Sequence, residues 1–540
     1  MEETMLGRMM SLPLSIPSIL DFADRFYPKV QIVSRTVEGP IHRYTYADAA
    51  RRVARLANVL TRLGVGRGDI VGTLAWNGYR HVELYYAIAG IGAVCHTVNP
   101  RLFPEQIHFI INHARDRYVF VDLTFVPLLE KLAERLPSVQ GYIILTDRDH
   151  MPQTSLSPVH CYEDLLEPEP ETFPWPDIDE RQAASLCYTS GTTGDPRGVL
   201  YSHRSTVLHA MAIKAADAFG LGARDVGLAV VPMFHVNAWG MPYVAPMSGA
   251  TMVLPGPALD GASLAGLITS EGVTVAAGVP TVWMSLLAHV RQQGGSLAPL
   301  NRVIVGGSAC PAALMDQFAA LGVETIHAWG MTETSPLGTI NQPTRATLRL
   351  PEAEQDAIHH KQGRPLYGVD LAIVGPDGAE LPFDGTSFGP LRIRGHWVCD
   401  GYYRMETSPS HGDSGWFDTG DVATIDPYGY MQIVDRVKDV IKSGGEWISS
   451  IELENIAIAH PAVFEAAAIA RPDPKWGERP LVIVVLRPGH KATEEDIREF
   501  YRGRVAKWCE PDKVIIAEEL PHTATGKILK QALRRLYAGA

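Results

Sequence analysis

The segment Tyr188-Thr-Ser-Gly-Thr-Thr-Gly-Asp-Pro-Arg-Gly198 is the part of the chain from which both fold and chemistry are inferred. Glycines let backbone N–H groups turn toward an anion, and the Ser and Thr hydroxyls add further donors. The GxxxxGK[ST] pattern of nucleotide-hydrolase P-loops is absent. The flanking stretches ASLCYT and GVLYSH are both typical of short strands. We therefore predict that the segment joins a β-hairpin and binds a polyphosphate; an ordinary polar loop is the alternative.

Helices and strands alternate on both sides of this segment. Residues 45–65 place apolar side chains at helical spacing, and HVELYYAIAGIGAV is a second predicted helix. The predicted strands are DIVGTLAWN, YVFVD, GYIILTD, TMVLPG, VTVAAGV, NRVIVGG and VETIHAW. This alternation predicts an α/β domain with largely parallel sheets.

The pattern changes near residue 370. The stretches LAIV, GPLRIRG, GHWV, GWFDTGD and VATIDPYGYMQIVD are short and separated by Gly, Pro and Asp, which favours antiparallel β-structure. After Asp435 come further strands (FEAAAIA, PLVIVVL) and helices (TEEDIREFYRGRVAKW, KQALRRLYA). The predicted fold class is α/β in a multi-domain α+β chain. Residues 1–437 form a large domain of α/β sheets with a β-rich subdomain, and residues 438–540 form a small mobile α+β domain.

Composition excludes some partners. The 540-residue chain has a formal net charge of −12, which disfavours nucleic acid and anionic membranes because both are polyanions. The six cysteines are scattered without zinc-ligand spacing, as in a cytoplasmic protein with reduced thiols. Residues 226–259 contain no Asp, Glu, Lys or Arg, but hold five prolines and four glycines. We expect no membrane span there, but buried strands and loops around a cavity.

Four further motifs follow the glycine-rich segment: Trp329-Gly-Met-Thr-Glu333, Gly415-Trp-Phe-Asp-Thr-Gly-Asp421, Asp435-Arg-Val-Lys-Asp439 with Ile441-Lys-Ser-Gly-Gly-Glu-Trp447, and Thr525-Gly-Lys527. In order and spacing, over nearly the whole chain, they resemble the motifs of the AMP-forming acyl-CoA synthetases, relatives of luciferases and peptide-synthetase adenylation domains. The resemblance implies a ligase that uses ATP and Mg²⁺ to convert a small carboxylate to an acyl-adenylate, and then transfers the acyl group to coenzyme A.

The resemblance also implies roles in the first half-reaction, in which attack of a carboxylate on the α-phosphorus brings two anions together. Thr332 contacts the α-phosphate, Glu333 holds Mg²⁺, and Lys527 reaches the α-phosphate and the carboxylate. Arg197 stands where the family usually has Lys, which keeps the charge but changes its geometry. The nucleotide-binding residues are Thr189, Ser190, Gly191, Thr192, Thr193, Gly194, Arg197, Trp329, Gly330, Asp421 and Arg436, the last two at the ribose.

For the second half-reaction, the resemblance implies that the small domain rotates about Lys438. This rotation removes Lys527 and presents a loop that lines the coenzyme A channel. Gly444, Gly445 and Trp447 are assigned to the channel, and Lys442 is a catalytic candidate. Two adjacent glycines permit close backbone approach; a simple turn is the alternative.

The acyl pocket is assigned by the same resemblance to His235, Trp239, Gly306, Gly307 and Pro336. No acid occurs in residues 234–240, and an unpaired ammonium there would be strongly disfavoured, so we expect an uncharged acyl tail. Trp239 either gates the pocket or forms its floor; the alternative is a core aromatic. His235 covers the entry to the acyl pocket; the alternative is a core histidine.

Within the family, MLGRMM, LCYTSGTTG, VPMFHVNAWG and IKSGGEWIS most resemble bacterial medium-chain fatty acid–CoA ligases and 3-methylmercaptopropionate–CoA ligases. The sequence does not separate these substrates, because a thioether is close to a methylene in size and polarity. A luciferase-like enzyme, a carrier-protein-loading enzyme and a noncatalytic sensor are the alternatives; the sensor predicts loss of Glu333 or Lys527, and both are present. A homodimer is expected only by analogy.

Overall fold

The computed structural model describes residues 7–189, 195–408, 410–412, 415–444, 446–522 and 528–537. The α-helices in these residues are α1 Ile16–Phe26, α2 Tyr46–Arg62, α3 Tyr79–Gly90, α4 Pro104–Ala114, α5 Val126–Glu130, α6 Tyr162–Leu166, α7 His203–Lys214, α8 Met241–Ser248, α9 Gly261–Glu271, α10 Pro280–Gln293, α11 Ala312–Ala320, α12 Glu352–His359, α13 Ser450–Ala459, α14 Glu494–Phe500 and α15 Lys530–Leu536.

The strands form four sheets. Those of the first part of the chain are β1 Gln31–Arg35, β2 Ile41–Thr45, β3 Ile70–Leu74, β4 Val94–Thr97, β5 Tyr118–Val121, β6 Gly141–Ile144, β7 Val159–Cys161, β8 Ala183–Tyr188, β9 Gly198–Ser202, β10 Val226–Ala229, β11 Thr251–Leu254, β12 Val275–Gly278, β13 Arg302–Val305, β14 Glu324–Gly330, β15 Leu337–Ile340 and β16 Arg364–Pro365. The remaining strands are β17 Val369–Ile373, β18 Phe388–Gly395, β19 Phe417–Ile425, β20 Met431–Arg436, β21 Ile441–Ser443, β22 Glu446–Ile448, β23 Val463–Asp473, β24 Gly477–Leu486 and β25 Lys513–Ala517.

Two large sheets confirm the predicted α/β class. A seven-stranded sheet has the order β7-β6-β5-β3-β4-β8-β9 and is parallel except for the antiparallel pair β8–β9. A nine-stranded sheet has the order β16-β15-β14-β13-β12-β10-β11-β1-β2, with a parallel centre from β14 to β1. Helix α3 is buried along its whole length and contacts strands of both sheets, and its buried Glu83 and Arg80 are paired with Arg52 and Glu163.

The pair β8–β9 confirms the predicted hairpin, because Tyr188 lies opposite Gly198 at the end where the connecting loop begins. The glycine-rich segment therefore connects the last two strands of the seven-stranded sheet.

The β-rich part is the antiparallel sheet β17-β18-β19-β20. Two expectations here were wrong. GHWV is not a strand, since β18 ends at Gly395 and a turn follows. GWFDTGD and VATID belong to one strand, β19. The strand continues through Gly420, whose φ is 74°, and past a bulge between Val422 and Ala423.

The last part of the chain has a sheet of its own, β22-β21-β24-β23, with β25 parallel to β24. Its apolar clusters draw only on residues from Ile441 onward. The long helix predicted over residues 493–508 was wrong: α14 ends at Phe500, and Gly503 beyond it adopts a φ of 73°.

The uncharged segment 226–259 also departs from expectation. It contains the strands β10 and β11 as predicted, but residues 241–248 form helix α8. Pro242 occupies the first turn, where its missing N–H costs nothing, and Pro246 lies inside the helix, which forms despite it. None of the helices in the described ranges is long and apolar enough to cross a bilayer.

Candidate active site

The two ends of the glycine-rich segment meet at the end of the β8–β9 hairpin. The backbone N–H of Thr189 donates to the carbonyl of Arg197 at 2.9 Å. Arg197 is half-buried, and its guanidinium carbon lies 5.2 Å from the ring centroid of Tyr402. Five of the residues assigned to the nucleotide lie outside the described residues: Ser190, Gly191, Thr192, Thr193 and Gly194.

Glu333 is buried in a short 3₁₀-helix, Thr332–Thr334, just after β14. The hydroxyl of Tyr402 donates to Glu333 Oε1 at 2.8 Å. The hydroxyl of Tyr201, on β9, donates to the carbonyl of Thr332 at 2.6 Å. The structure thus brings Thr332 and Glu333 to the hairpin that carries Arg197. Sequence reasoning missed Tyr402, which no motif had singled out.

Asp421 lies in β19, is 2% exposed, and is contacted on both carboxylate oxygens. The indole Nε1 of Trp329 donates to Oδ2 at 3.0 Å, and Arg436 Nε lies 2.6 Å from Oδ1. Arg436 is opposite Asp421 in the β19–β20 ladder, so the sheet register sets this ion pair. Three residues assigned to the nucleotide therefore form one cluster.

Gly330, between Trp329 and Thr332, has no room for a side chain, because a Cβ there would collide with the carbonyl oxygen of Pro336. That carbonyl accepts from the N–H of Met331 at 3.1 Å. Pro336, assigned to the acyl pocket, thus packs against the nucleotide motif.

Trp239 projects from a left-handed turn. The residues from Val236 to Trp239 have φ values of 47–53°, and none of them is glycine. Trp239 is 7% exposed, and its ring faces two glycines after β13: a Cβ at Gly306 would lie 3.1 Å from Trp239 Cη2, and one at Gly307 would lie 3.7 Å from Cζ2. Trp239, Gly306 and Gly307 are therefore neighbours. His235 is half-buried at the start of the turn, where its N–H donates to the carbonyl of Pro232 at 3.0 Å.

A left-handed turn of non-glycine residues costs roughly 1–2 kcal/mol per residue, so other contacts must stabilise it. Asn237 Nδ2 donates to Ser185 Oγ at 2.9 Å, and Asn237 Oδ1 accepts from the Tyr85 hydroxyl at 3.3 Å. Asn77 fixes the backbone that precedes the turn, because its Oδ1 accepts a hydrogen bond from the N–H of Met233 at 2.6 Å. The sequence analysis gave neither asparagine a role; the available signal was an uncharged polar residue within an apolar stretch.

A buried histidine lies beside this turn. His209 packs against Gly240, where a Cβ would lie 3.1 Å from the imidazole. Burial lowers the pKa of His209 to about 3, and its Nε2 accepts from the N–H of Leu337 at 3.4 Å. The imidazole is therefore neutral at physiological pH.

The remaining candidates lie in or near the β21–β22 hairpin. Lys438 lies in the turn between β20 and β21, and burial lowers its pKa. Lys442 Nζ lies 5.9 Å from the Trp447 ring, and Trp447 lies 5.7 Å from Phe388 of β18.

Gly444 has a φ of 61°, and its N–H donates to the carbonyl of Trp476 at 2.8 Å. Across the described ranges, no hydrogen bond or ring contact of Lys442, Gly444 or Trp447 reaches Thr332 or Glu333. Gly445 and Lys527 lie outside the described residues.

No group of three or more His, Cys, Asp or Glu that could hold an ion occurs in the described part of the chain. Mg²⁺ is typically held by one or two carboxylates together with substrate phosphates, not by an all-protein cage. A single carboxylate, Glu333, near the half-buried cation Arg197 fits that preference.

Comparison with known proteins agrees with this geometry. The family model described as AMP-binding enzyme matches residues 21–403, and the model of the AMP-binding enzyme C-terminal domain matches residues 452–527. The chain belongs to the AMP-binding enzyme family. The resemblance stated from the motifs is confirmed.

Relatives of this AMP-binding enzyme act on acids and coenzyme A. The 3-methylmercaptopropionyl-CoA ligase of Ruegeria lacuscaerulensis is 51% identical, with 99% of each chain covered. The medium-chain-fatty-acid–CoA ligase of Ectopseudomonas oleovorans is 50% identical, over 99% of this chain and 98% of that protein. The crystal structure of the anthranilate CoA ligase AuaEII in complex with anthranoyl-AMP matches with a TM-score of 0.86 at 27% identity, over 98% of this chain and 99% of that one. The protein is an AMP-forming acid–CoA ligase.

Proposed function

We propose that this ligase activates a short- to medium-chain acid with an uncharged tail, and that 3-methylmercaptopropionate and medium-chain fatty acids are its substrates. The observation that carries the proposal is the setting of Trp239, whose buried ring covers Gly306 and Gly307 beside a neutral His209. A charged tail would lose its hydration there without gaining a partner. The two substrate types are those named for the relatives at about half identity.

In the first half-reaction, a carboxylate oxygen of the acid attacks the α-phosphorus of ATP and pyrophosphate leaves. Arg197 and the Ser and Thr residues of the glycine-rich segment bind the pyrophosphate end, and Thr332 contacts the α-phosphate. Asp421 accepts from the ribose hydroxyls, with Trp329 and Arg436 holding its carboxylate in place. Glu333 holds Mg²⁺, which supplies positive charge to the phosphates when bound. Lys527 stabilises the charge that develops between the acid and the α-phosphate.

In the second half-reaction, the thiol of coenzyme A attacks the acyl carbon and AMP leaves. The domains proposed for this step are residues 1–437 and 438–540. Separate sheets and separate apolar clusters on either side of residues 437–440 support that division. Rotation about Lys438 brings Gly444, Gly445 and Trp447 to line the thiol channel, beside Lys442. The cysteines, scattered without zinc-ligand spacing, support a cytoplasmic location. A homodimer stays a prediction that sedimentation velocity tests.

The experiment is a substrate profile. The value of kcat/KM for coenzyme A thioester formation is measured for 3-methylmercaptopropionate, straight-chain acids of four to ten carbons, an amino acid and a dicarboxylate. We expect the thioether acid and the medium-chain acids to exceed the amino acid and the dicarboxylate by at least about 100-fold. Preference for either charged acid would refute the uncharged pocket.

A further inference from the structure

Tyr402 contacts two residues to which separate motifs give separate roles. Its hydroxyl donates to Glu333 Oε1 at 2.8 Å, and the guanidinium carbon of Arg197 lies 5.2 Å from the centre of its ring. Tyr402 itself is 6% exposed. One buried side chain therefore lies between the cation assigned to pyrophosphate and the carboxylate assigned to Mg²⁺.

Backbone hydrogen bonds fix the position of this ring from both sides. The N–H of Cys399 donates to the carbonyl of Glu333 at 2.8 Å. The N–H of Tyr403 donates to the carbonyl of Gly198, the residue after Arg197, also at 2.8 Å. Residues 399–403 thus join the end of the glycine-rich segment to the magnesium motif, and Tyr402 is the side chain between these two bonds.

The charges explain why a spacer is needed. A guanidinium and a carboxylate at contact form a strong bidentate pair, which would occupy the groups that ATP and Mg²⁺ require. Within the ranges that the structure describes, the side chains of Arg197 and Glu333 both contact Tyr402 and form no ion pair with each other. The phenol hydroxyl satisfies one carboxylate oxygen, and the ring face attracts the guanidinium.

We propose that Tyr402 is a positioning residue that holds Arg197 and Glu333 apart and oriented, so that pyrophosphate and Mg²⁺ bind together. The inference rests on the proposed function, which supplies the roles of those two residues. It also accounts for Arg at position 197, where the family usually has Lys. A planar guanidinium stacks on an aromatic face, whereas a compact, strongly hydrated ammonium does so less well.

The test is equilibrium binding of ATP by isothermal titration calorimetry, in excess EDTA and in excess Mg²⁺. The proteins are the native enzyme, Tyr402→Phe, Tyr402→Leu, Arg197→Lys and the double variant Arg197→Lys/Tyr402→Leu. Tyr428→Phe, at a 43% exposed tyrosine, is the matched control and should bind as the native enzyme does. Thermal unfolding of each variant checks its fold.

Tyr402→Phe keeps the ring and removes the hydroxyl, which donates to Glu333 and also interacts with Arg197. The gain in ATP affinity on adding Mg²⁺ should fall about tenfold, and affinity in EDTA should fall by less than that. Tyr402→Leu should weaken binding in EDTA as well. Arg197→Lys should weaken binding about threefold in the native background and not in the Tyr402→Leu background, because the stacking partner is then already gone.

Two results would overturn the inference: a native response of Tyr402→Phe to Mg²⁺, or an equal effect of Arg197→Lys in both backgrounds. Since ATP binding requires no acid, a wrong acyl substrate leaves the test intact. Should the native enzyme bind no ATP, the inference and the proposed nucleotide site both fail, whereas failure of the acid profile alone leaves the inference standing.

Discussion

The indole Nε1 of Trp329 donates a hydrogen bond to Oδ2 of Asp421 across 3.0 Å. Trp329 is the second-last residue of β14 in the nine-stranded sheet, and Asp421 lies in β19 of the antiparallel sheet. Because Glu333 follows Trp329 by four residues, this bond fixes Asp421, the carboxylate proposed to bind the ribose, relative to Glu333, the carboxylate proposed to hold Mg²⁺. A carboxylate oxygen accepts more than one hydrogen bond, so Asp421 keeps capacity for the ribose hydroxyls.

Trp329→Phe keeps an aromatic ring and removes the donor. We expect the KM for ATP to rise about tenfold with little change in kcat, because a hydrogen bond to a charged group is typically worth about 1.5–3 kcal/mol. Steady-state kinetics with ATP and with 2′-deoxy-ATP measure the effect. Trp508→Phe, at a tryptophan 45% exposed, is the control. An unchanged KM for both nucleotides would show that this bond does not support ribose binding.

Trp239→Ala removes the ring that covers Gly306 and Gly307. We expect the preference among straight-chain acids to shift toward longer chains, with a loss of about 3–5 kcal/mol in stability. Chain-length profiles of kcat/KM, with thermal unfolding alongside, measure both effects. Trp283→Ala is the matched control, because Trp283 is fully buried in a different apolar cluster. It should lose stability and keep the native profile. If Trp239→Ala does the same, Trp239 is a core aromatic rather than a pocket wall.

Lys438→Pro restricts the turn on which the proposed rotation depends. In this turn the backbone N–H groups of Asp439 and Val440 both donate to the carbonyl of Arg436. The N–H of Val437 donates to the carbonyl of Gly420. Proline fixes φ near about −65° and limits the residue before it, so one domain orientation should be trapped.

We expect a burst of about one pyrophosphate per active site to persist, while thioester formation from isolated acyl-adenylate and coenzyme A falls by orders of magnitude. Rapid-quench assays of the two half-reactions measure this difference. Lys438→Ala, which leaves the backbone free, should retain both. Normal acyl-CoA turnover by Lys438→Pro would place the pivot elsewhere.

His203 predicts a pH-dependent loss of stability. Burial lowers its pKa to about 4, and its Nδ1 accepts from the N–H of Ile16 at 3.2 Å. Below about pH 6.5 the unfolded chain binds a proton at this histidine while the folded chain does not, so stability falls as pH decreases toward 4.

The Tm difference between the native protein and His203→Gln should therefore shrink from pH 7.5 to pH 4.5. The contribution of His203 is at most about 1.4 kcal/mol per pH unit. His490→Gln, at an exposed histidine, should show a constant difference. A constant difference for His203→Gln would contradict the stated cause of its low pKa.

The hairpin around the glycine-rich segment was predictable because short apolar strands flank a run rich in glycine, a local signal. Helix α8 was not, because Pro242 and Pro246 are read as helix breakers although the first of them lies where a helix tolerates proline. The left-handed turn before Trp239 was also hidden. Its residues have no intrinsic preference for positive φ, and the side chain of Asn237 that stabilises the turn finds its partners on β8 and α3. Tyr402 was hidden for the same reason. The two residues that it contacts, Glu333 and Arg197, lie 69 and 205 positions away in sequence.

The most direct test of the central claim follows the oxygen atoms of the acid. The acid is labelled with ¹⁸O at both carboxylate oxygens and incubated with the enzyme, ATP, Mg²⁺ and coenzyme A, and the products are analysed by mass spectrometry. If the carboxylate attacks the α-phosphorus, one labelled oxygen leaves with AMP and the other stays in the acyl-CoA carbonyl, with one pyrophosphate released per thioester. Label in inorganic phosphate with formation of ADP, or thioester formation with unlabelled AMP, would contradict the acyl-adenylate route.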